Sequence, residues 1–215
     1  MGFVIAVDGP AASGKGAISV RLGALLGLPV LDTGLLYRAV GAAVRRLGGD
    51  LGDATTAARA ARALDPSLLD DPNLRDEEIG EAASRVAVHP AVRRALVQFQ
   101  RAFALREPGA VLDGRDIGTV IFPEAQAKFY VTATIEARAT RRWRQLADHG
   151  HGATYAGTLA DIRRRDGRDA ARGIAPMRPA PDAVLLDTTD LDIDGAFDAA
   201  RRIVEAARAR WEQSQ

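Results

Sequence analysis

The sequence predicts a three-layer α/β fold: a five-stranded parallel sheet covered by helices, with two small inserts. Three observations predict it. Short apolar runs alternate along the whole chain with longer segments of 3.6-residue periodicity, the pattern of strands feeding crossover helices. The first apolar run, Phe3 to Val7, is followed by Asp8 and a Gly/Pro turn, as a buried parallel strand would be. The second and third runs end in Asp32-Thr33-Gly34 and Asp113-Gly114, so polar residues collect where such strands stop.

The elements follow in order. Lys15 to Leu26 is helical, with Ile18, Leu22, Leu25 and Leu26 on one face. Val30-Leu31 is a brief second strand, and a helix runs from about Leu35 to Leu47. Gly48 to Asp53 punctuates the chain before an Ala- and Arg-rich helical stretch to Ala63. Leu64 to Arg75 holds Pro66, Pro72 and several Asp, and reads as a compact loop. Glu77 to Val88 and Ala91 to Leu105 are helical patterns; Pro90 stops the first and opens the second. Ala110 to Leu112 is the third strand, running into Asp113, and Ala127 to Val131 is the fourth. Ile135 to His149 is an arginine-rich helix ended by the turn His149-Gly150-His151-Gly152, and Thr158 to Ala171 is another. Ala183 to Leu186 is the fifth strand, and Ile193 to Trp211 the last helix. A single domain, 1–215, with inserts at 54–90 and 143–168, accounts for this order.

The 215 residues suit one such domain, and 47% hydrophobic with 27% charged residues is ordinary for a soluble globular chain. Aromatics are only 5%, so Ala, Leu, Val and Ile must fill the core. Twenty-nine basic against 28 acidic residues leave a formal charge of +1, which argues against nucleic-acid binding by bulk charge. The absence of cysteine excludes disulfides, thiol catalysis and Cys-ligated zinc. No apolar run approaches the ~18 residues of a membrane-spanning helix. The start, MGFVIAVDGP, reads as a strand rather than a signal peptide. The expectation is a cytoplasmic monomer with no membrane or nucleic-acid partner.

Gly9-Pro10-Ala11-Ala12-Ser13-Gly14-Lys15 matches G-x-x-x-x-G-K and lies between the first strand and first helix, as the motif requires. The glycines let successive N–H groups face one anion, the helix adds the positive end of its dipole, and Lys15 brings a mobile charge. The fold class sharpens accordingly to a P-loop NTPase fold, with Gly9 to Ala17 binding ATP. The general motif places Ser or Thr after the lysine to ligate Mg²⁺. Gly16 follows instead, then Ala17, so Mg²⁺ accompanying ATP has no direct protein ligand and is steered at most through water by Asp113.

Three further clusters lie on the acceptor side. Thr33 and Arg38 can bind a phosphate at a helix N-terminus, or can be a cap and a solvated surface residue. Asp113-Gly114-Arg115-Asp116 places a carboxylate at a strand end beside the phosphate loop, with an arginine to reach a phosphate and an aspartate to accept from an amine or sugar hydroxyl. Arg165, Asp169 and Arg172 fall at i, i+4 and i+7 on one helix face. They suit a phosphate together with a polar edge, or else form an ion-paired surface helix of little energetic value.

The segments GPAASGKG, LDTGLLYRAV, EAASRVAVHPAVRRAL, VLDGRDIGTVIFPEA, RRRDGRDAARGIAP and VLLDTT, in this order, closely resemble bacterial cytidylate kinase over nearly the whole length. The resemblance implies ATP-dependent phosphorylation of CMP and dCMP, with Lys15, Arg115, Arg165 and Arg172 carrying the transfer. It implies Thr33, Arg38, Ser84, Arg93, Arg115, Asp116, Arg165, Asp169 and Arg172 for the acceptor, Ser84 with Asp116 or Asp169 reading cytosine and sugar. Arg138 and Arg142 are implied more weakly for the triphosphate. The 54–90 insert corresponds to the acceptor-binding region and 143–168 to the lid. LDPSLLDDPNLRDEEIG is too short and too rich in Pro and Asp for the strand-rich insert the family often carries here. The alternatives are a kinase for UMP or a small hydroxylated metabolite, or a non-catalytic P-loop switch, for which Ala17 is the sign.

Overall fold

The computed structural model describes residues 2–148 and 152–213, so the turn expected at His149-Gly150-His151 lies outside the described residues. Five strands, β1 (Phe3–Asp8), β2 (Val30–Asp32), β3 (Gly109–Gly114), β4 (Ala127–Thr132) and β5 (Val184–Asp187), form one sheet in the order β2-β3-β1-β4-β5. Every neighbouring pair is parallel. The predicted α/β class and five-stranded parallel sheet are thus present.

The central strand serves two layers. Phe3, Ile5 and Val7 of β1 pack with Ile18 and Leu22 of α1 (Lys15–Leu26) and with Ala200 and Val204 of α8 (Ile193–Glu212). Val4 and Ala6 face the opposite side and join Leu112, Ile117 and Phe122. This alternation is the period-two geometry of a strand with both faces covered. A third cluster knits α2 (Thr33–Arg46), α3 (Ala54–Arg62), α4 (Glu77–Val86) and α5 (Pro90–Ala104) together through Leu36, Val40, Val86 and Leu96. Two further helices, α6 (Ile135–Asp148) and α7 (Tyr155–Ala170), lie between β4 and β5 in the chain.

Local chemistry moved several expected boundaries. Helix α2 starts at Thr33 because Asp32 caps it, its carboxylate accepting the Gly34 N–H at 2.9 Å. Helix α7 starts at Tyr155 because the Thr154 hydroxyl accepts the Gly157 N–H at 3.1 Å. It ends at Ala170, so Arg172 is not on the helical face expected for it. Leu64 to Arg75 resolves into two 3₁₀ turns, Pro66–Asp70 and Pro72–Arg75, each with proline in its first turn and an Asp cap before it. Ile117–Ile121, after DGRD, is a π-helical turn that the apolar sequence did not announce.

Leu22 is fully buried between β1 and α8. Replacing it by alanine should lower unfolding free energy by about 2–5 kcal/mol, read from urea denaturation, while the folded fraction keeps its nucleotide affinity.

Candidate active site at the carboxyl edge of the sheet

The parallel register brings the C-terminal ends of three strands together: Asp32 lies opposite Asp113, and Asp8 opposite Gly114. The strand order reverses direction around β1, and this switch point is where open α/β sheets accept ligands. The loop after β1 turns on two glycines. Gly9 has φ 148°, and a Cβ there would meet the Val131 carbonyl oxygen at 2.0 Å. Gly14, at φ 90°, caps α1. Ala12 also adopts φ 60°, a left-handed conformation that costs a non-glycine residue roughly 1–2 kcal/mol. The Ala11 carbonyl accepts from Arg138 at 3.2 Å and the Ser13 carbonyl from Thr188 at 2.9 Å, so α6 and the end of β5 hold the loop.

An open cavity of about 220 Å³ begins at Ala11, Ala12 and Lys15 and runs between α2, α4, α5, the β3 turn and α7. Its lining gathers Thr33, Arg38, Ser84, Arg93, Arg115, Asp116, Arg165, Asp169 and Arg172, so all nine residues assigned to the acceptor share one space with Lys15. Seven basic and five acidic side chains line it.

Pairing within the chain organises these charges. Lys15 lies 3.5 Å from Asp113. Burial, opposed by Lys15 and joined by the charge of Asp32, pushes the Asp113 carboxyl up to about 6. Burial and then Arg115 pull the Lys15 ammonium below its usual value, with Asp113 resisting. Asp169 accepts from Arg115 at 3.3 Å and pairs with Arg172 at 2.7 Å. Burial opposes its charge, but Arg115, Arg172 and Arg165 outweigh burial and hold its carboxyl below the ordinary range. Arg93 donates to Asp116 in a buried pair and stacks over the Tyr37 ring at 5.5 Å. Arg165 is half-buried, and its Nε and that of Arg172 are buried atoms with no hydrogen-bond partner among the described residues.

Some assignments meet a different local role. The Thr33 hydroxyl donates to the Asp113 carbonyl at 2.8 Å, tying α2 to β3. Arg38 donates to the carbonyls of Leu74 and Asp76 at 2.6 and 2.9 Å, so the short insert holds its guanidinium, which burial pulls down to about 10. Arg138 is buried and bonded to Ala11, Ala133 and Asp166, acting as a brace behind the phosphate loop, whereas Arg142 does line the cavity. Five polar cavity residues were not assigned to the site from sequence, among them Glu77 at the start of α4. Asp32 and Tyr37 sit inside LDTGLLYRAV, and Asp161 lies one turn before Arg165 on the same face of α7, where the i, i+4 spacing could have found it. Gln145 carried no such signal.

The family model described as cytidylate kinase matches residues 5–207. A cytidylate kinase of Caulobacter vibrioides is 63% identical over 210 residues, covering 98% of this chain and 99% of that protein. The chain belongs to the cytidylate kinase family. Cytidylate kinases of Xanthobacter autotrophicus and Rhodopseudomonas palustris are 59% and 55% identical, each over 207 residues and 96% of this chain, and 99% and 98% of their own lengths. A solved structure of an uncharacterised protein from Eubacterium ventriosum aligns with TM-score 0.56 at 13% identity, over 96% of this chain and 99% of that one. At that identity the likeness concerns the fold alone. Family membership makes the chain a nucleoside monophosphate kinase, as the motifs had implied, and disfavours the switch.

Asp113 gives a pH signature. A carboxyl that titrates at about 6 folded and near its ordinary 3.8 unfolded stabilises the fold fully below about 4 and loses that contribution as pH rises to about 6. Urea unfolding between pH 4 and 7 should show Asp113→Asn gaining on the wild type through that window, by on the order of 2 kcal/mol, then running parallel above it.

Proposed function

We propose that the chain transfers the γ-phosphoryl group of ATP to CMP and dCMP, releasing ADP and the corresponding nucleoside diphosphate. The convergence of Lys15 with Arg115, Arg165 and Arg172 in one cavity, in a chain of this family, carries the reading. The backbone of Gly9 to Ala17 and the α1 N-terminus cradle the ATP phosphates, and Lys15 leaves Asp113 to meet the β/γ oxygens. Arg165 and Arg172, with buried Nε donors still to be satisfied, take the acceptor phosphate together with Arg115. Ser84, Arg93, Asp116 and Asp169 line the wall nearest α4 and α5, where they read the base and sugar.

A phosphate oxygen of the acceptor attacks the γ-phosphorus, and the bond to the β–γ bridging oxygen breaks with its electrons passing to ADP. The attacking group is already an anion, so alignment and charge neutralisation suffice and no strong base is needed. This agrees with a cavity lined by arginines and carboxylates but, among the described residues, no histidine. Mg²⁺ fits the site through its nucleotide: Ala17 offers no hydroxyl, while Asp113 stands beside the loop, its Oδ2 3.4 Å from where a Cβ on Gly16 would lie. Asp113 would hold the ion through a water, and the ion would supply neutralisation of phosphate charge. The segments 54–90 and 143–168 close over the acceptor to keep water from the γ-phosphate. The enzyme works as a cytoplasmic monomer without nucleic-acid partners; no helix among the described residues is long and apolar enough to cross a membrane.

ADP release from MgATP, with CMP, dCMP, UMP, AMP and GMP offered separately against a blank without acceptor, should be led by CMP or dCMP. Nucleotide binding without turnover on any acceptor overturns the proposal. Lys15→Met should lower kcat by about two or more orders of magnitude while the protein keeps a cooperative melt, and Arg115→Met should raise KM for CMP while sparing KM for MgATP.

A further inference from the structure

Asp8 closes β1 directly before Gly9, is 3% exposed, and has no part in the assignments above. Its Oδ1 accepts the N–H of Ile117 at 2.7 Å, and its Oδ2 accepts the N–H of Gly118 at 2.8 Å. Those two amides open the π-helical turn that follows Arg115 and Asp116. The ladder between β1 and β3 stops at the pair Asp8 and Gly114, and the carboxylate extends the connection past it. One side chain therefore stands a single peptide bond from the phosphate loop and two charge-assisted hydrogen bonds from the acceptor turn.

Packing leaves this connection little slack. A Cβ added at Gly118 would lie 3.3 Å from Cδ of Lys128, 3.4 Å from Oδ2 of Asp8 and 3.5 Å from the Ala180 Cβ, so the turn is wedged between β1, β4 and the segment before β5. A pair of hydrogen bonds to consecutive amides fixes both the distance and the tilt of the turn.

We propose that Asp8 is a positioning residue that aligns acceptor with donor, clamping the Arg115-Asp116 turn to the strand end that carries the phosphate loop. The inference rests on the assignment of Arg115 and Asp116 to the acceptor. Neither oxygen of Asp8 touches a reacting group; it acts through the backbone of its partners. The surroundings also make the clamp sensitive to pH. Burial, with the charges of Asp116 and Asp113, pushes the Asp8 carboxyl up to about 7 against the two amide bonds. On the β4 side stand Tyr130, whose phenol senses Asp8, and Lys128, whose amine pairs with Asp182 at 2.6 Å. Above about 7 the carboxylate accepts both amides; below it, one oxygen becomes a hydroxyl and the grip halves.

Asp8→Asn tests this, because asparagine keeps the shape but accepts only one N–H and turns its NH₂ against the other. The expected result is a fall in kcat/KM for CMP of about ten- to a hundredfold, with KM for MgATP within about twofold of wild type. The ratio of wild-type to Asp8→Asn kcat/KM for CMP should rise between pH 6 and 8 as one ionisation near 7; the ionisation of CMP is common to both proteins and cancels. Wild-type kcat/KM in the variant, equal losses towards MgATP and CMP, or a ratio flat with pH would each overturn the clamp. If Asp8→Asn loses its cooperative melt, Gly118→Ala decides: its added methyl group presses on the same hydrogen bonds and should give the same CMP-against-MgATP split, and a folded variant without that split overturns the proposal. Arg115→Met separates the two readings. An inactive Arg115→Met beside an unaffected Asp8→Asn removes the clamp alone, whereas a fully active Arg115→Met removes the assignment on which it stands.

Discussion

Ionic groups taken out of water at the carboxyl edge of the sheet set the terms for the rest of the molecule. Parallel pairing of β2, β3 and β1 delivers Asp32, Asp113 and Asp8 to one narrow zone, and the helix after β1 adds Lys15. Isolated buried charges cost several kcal/mol each, so such a zone persists only if each member finds a partner. Asp113 takes Lys15, Asp169 takes Arg172 and Arg115, Asp116 takes Arg93, and Asp8 takes two backbone amides. Helix α5 supplies Arg93 and α7 supplies Asp169 to these pairings, so electrostatics and packing select the same arrangement.

Behind the cavity a second set of contacts carries the load of the phosphate loop. Arg138 reaches the Ala11 and Ala133 carbonyls and Asp166, while Arg141 grips Thr188, whose hydroxyl reaches Ser13. Helix α6 thereby joins the loop to both α7 and the end of β5. Across the cavity mouth, Arg168 of α7 pairs with Glu81 of α4 at 2.7 Å, and the Ser84 hydroxyl approaches Asp169 at 3.4 Å. Helices α7 and α4 thus touch each other directly.

Much of this was legible in the sequence because the strongest signals are local. An apolar run followed by G-x-x-x-x-G-K specifies a strand, a loop and a helix within a dozen residues, and all five strands were readable as short apolar stretches. Boundaries suffered where a side chain decided them, as with the Asp32 and Thr154 caps that start α2 and α7 earlier than periodicity alone suggests. Arg172 shows the same limit: its spacing from Arg165 predicted a shared helix face, yet the helix ends first and the arginine reaches the cavity from the following bend. Arg138 was illegible for another reason. Whether an arginine at the start of a helix faces ligand or backbone depends on Ala11 and Asp166, remote in sequence. Asp8 ends an apolar strand as Asp113 does, and the reasoning that singled out Asp113 applies to it equally.

The internal ion pairs of the cavity have a consequence for how it meets its substrates. Lys15, Arg93, Arg115 and Arg172 each hold a carboxylate of the chain itself. On the proposed assignment, an arriving phosphate trades places with an anion already there, and these cations are never bare. Association becomes a swap of counter-charges, in which the net number of new pairs is smaller than the number of arginines suggests. On the proposed assignment, Asp116 and Asp169, so displaced, become acceptors for the amine and hydroxyl groups that arrive with the same ligand. Affinity then depends only shallowly on ionic strength, and a multiply charged anion without a base and sugar to satisfy those aspartates gains little from the cavity.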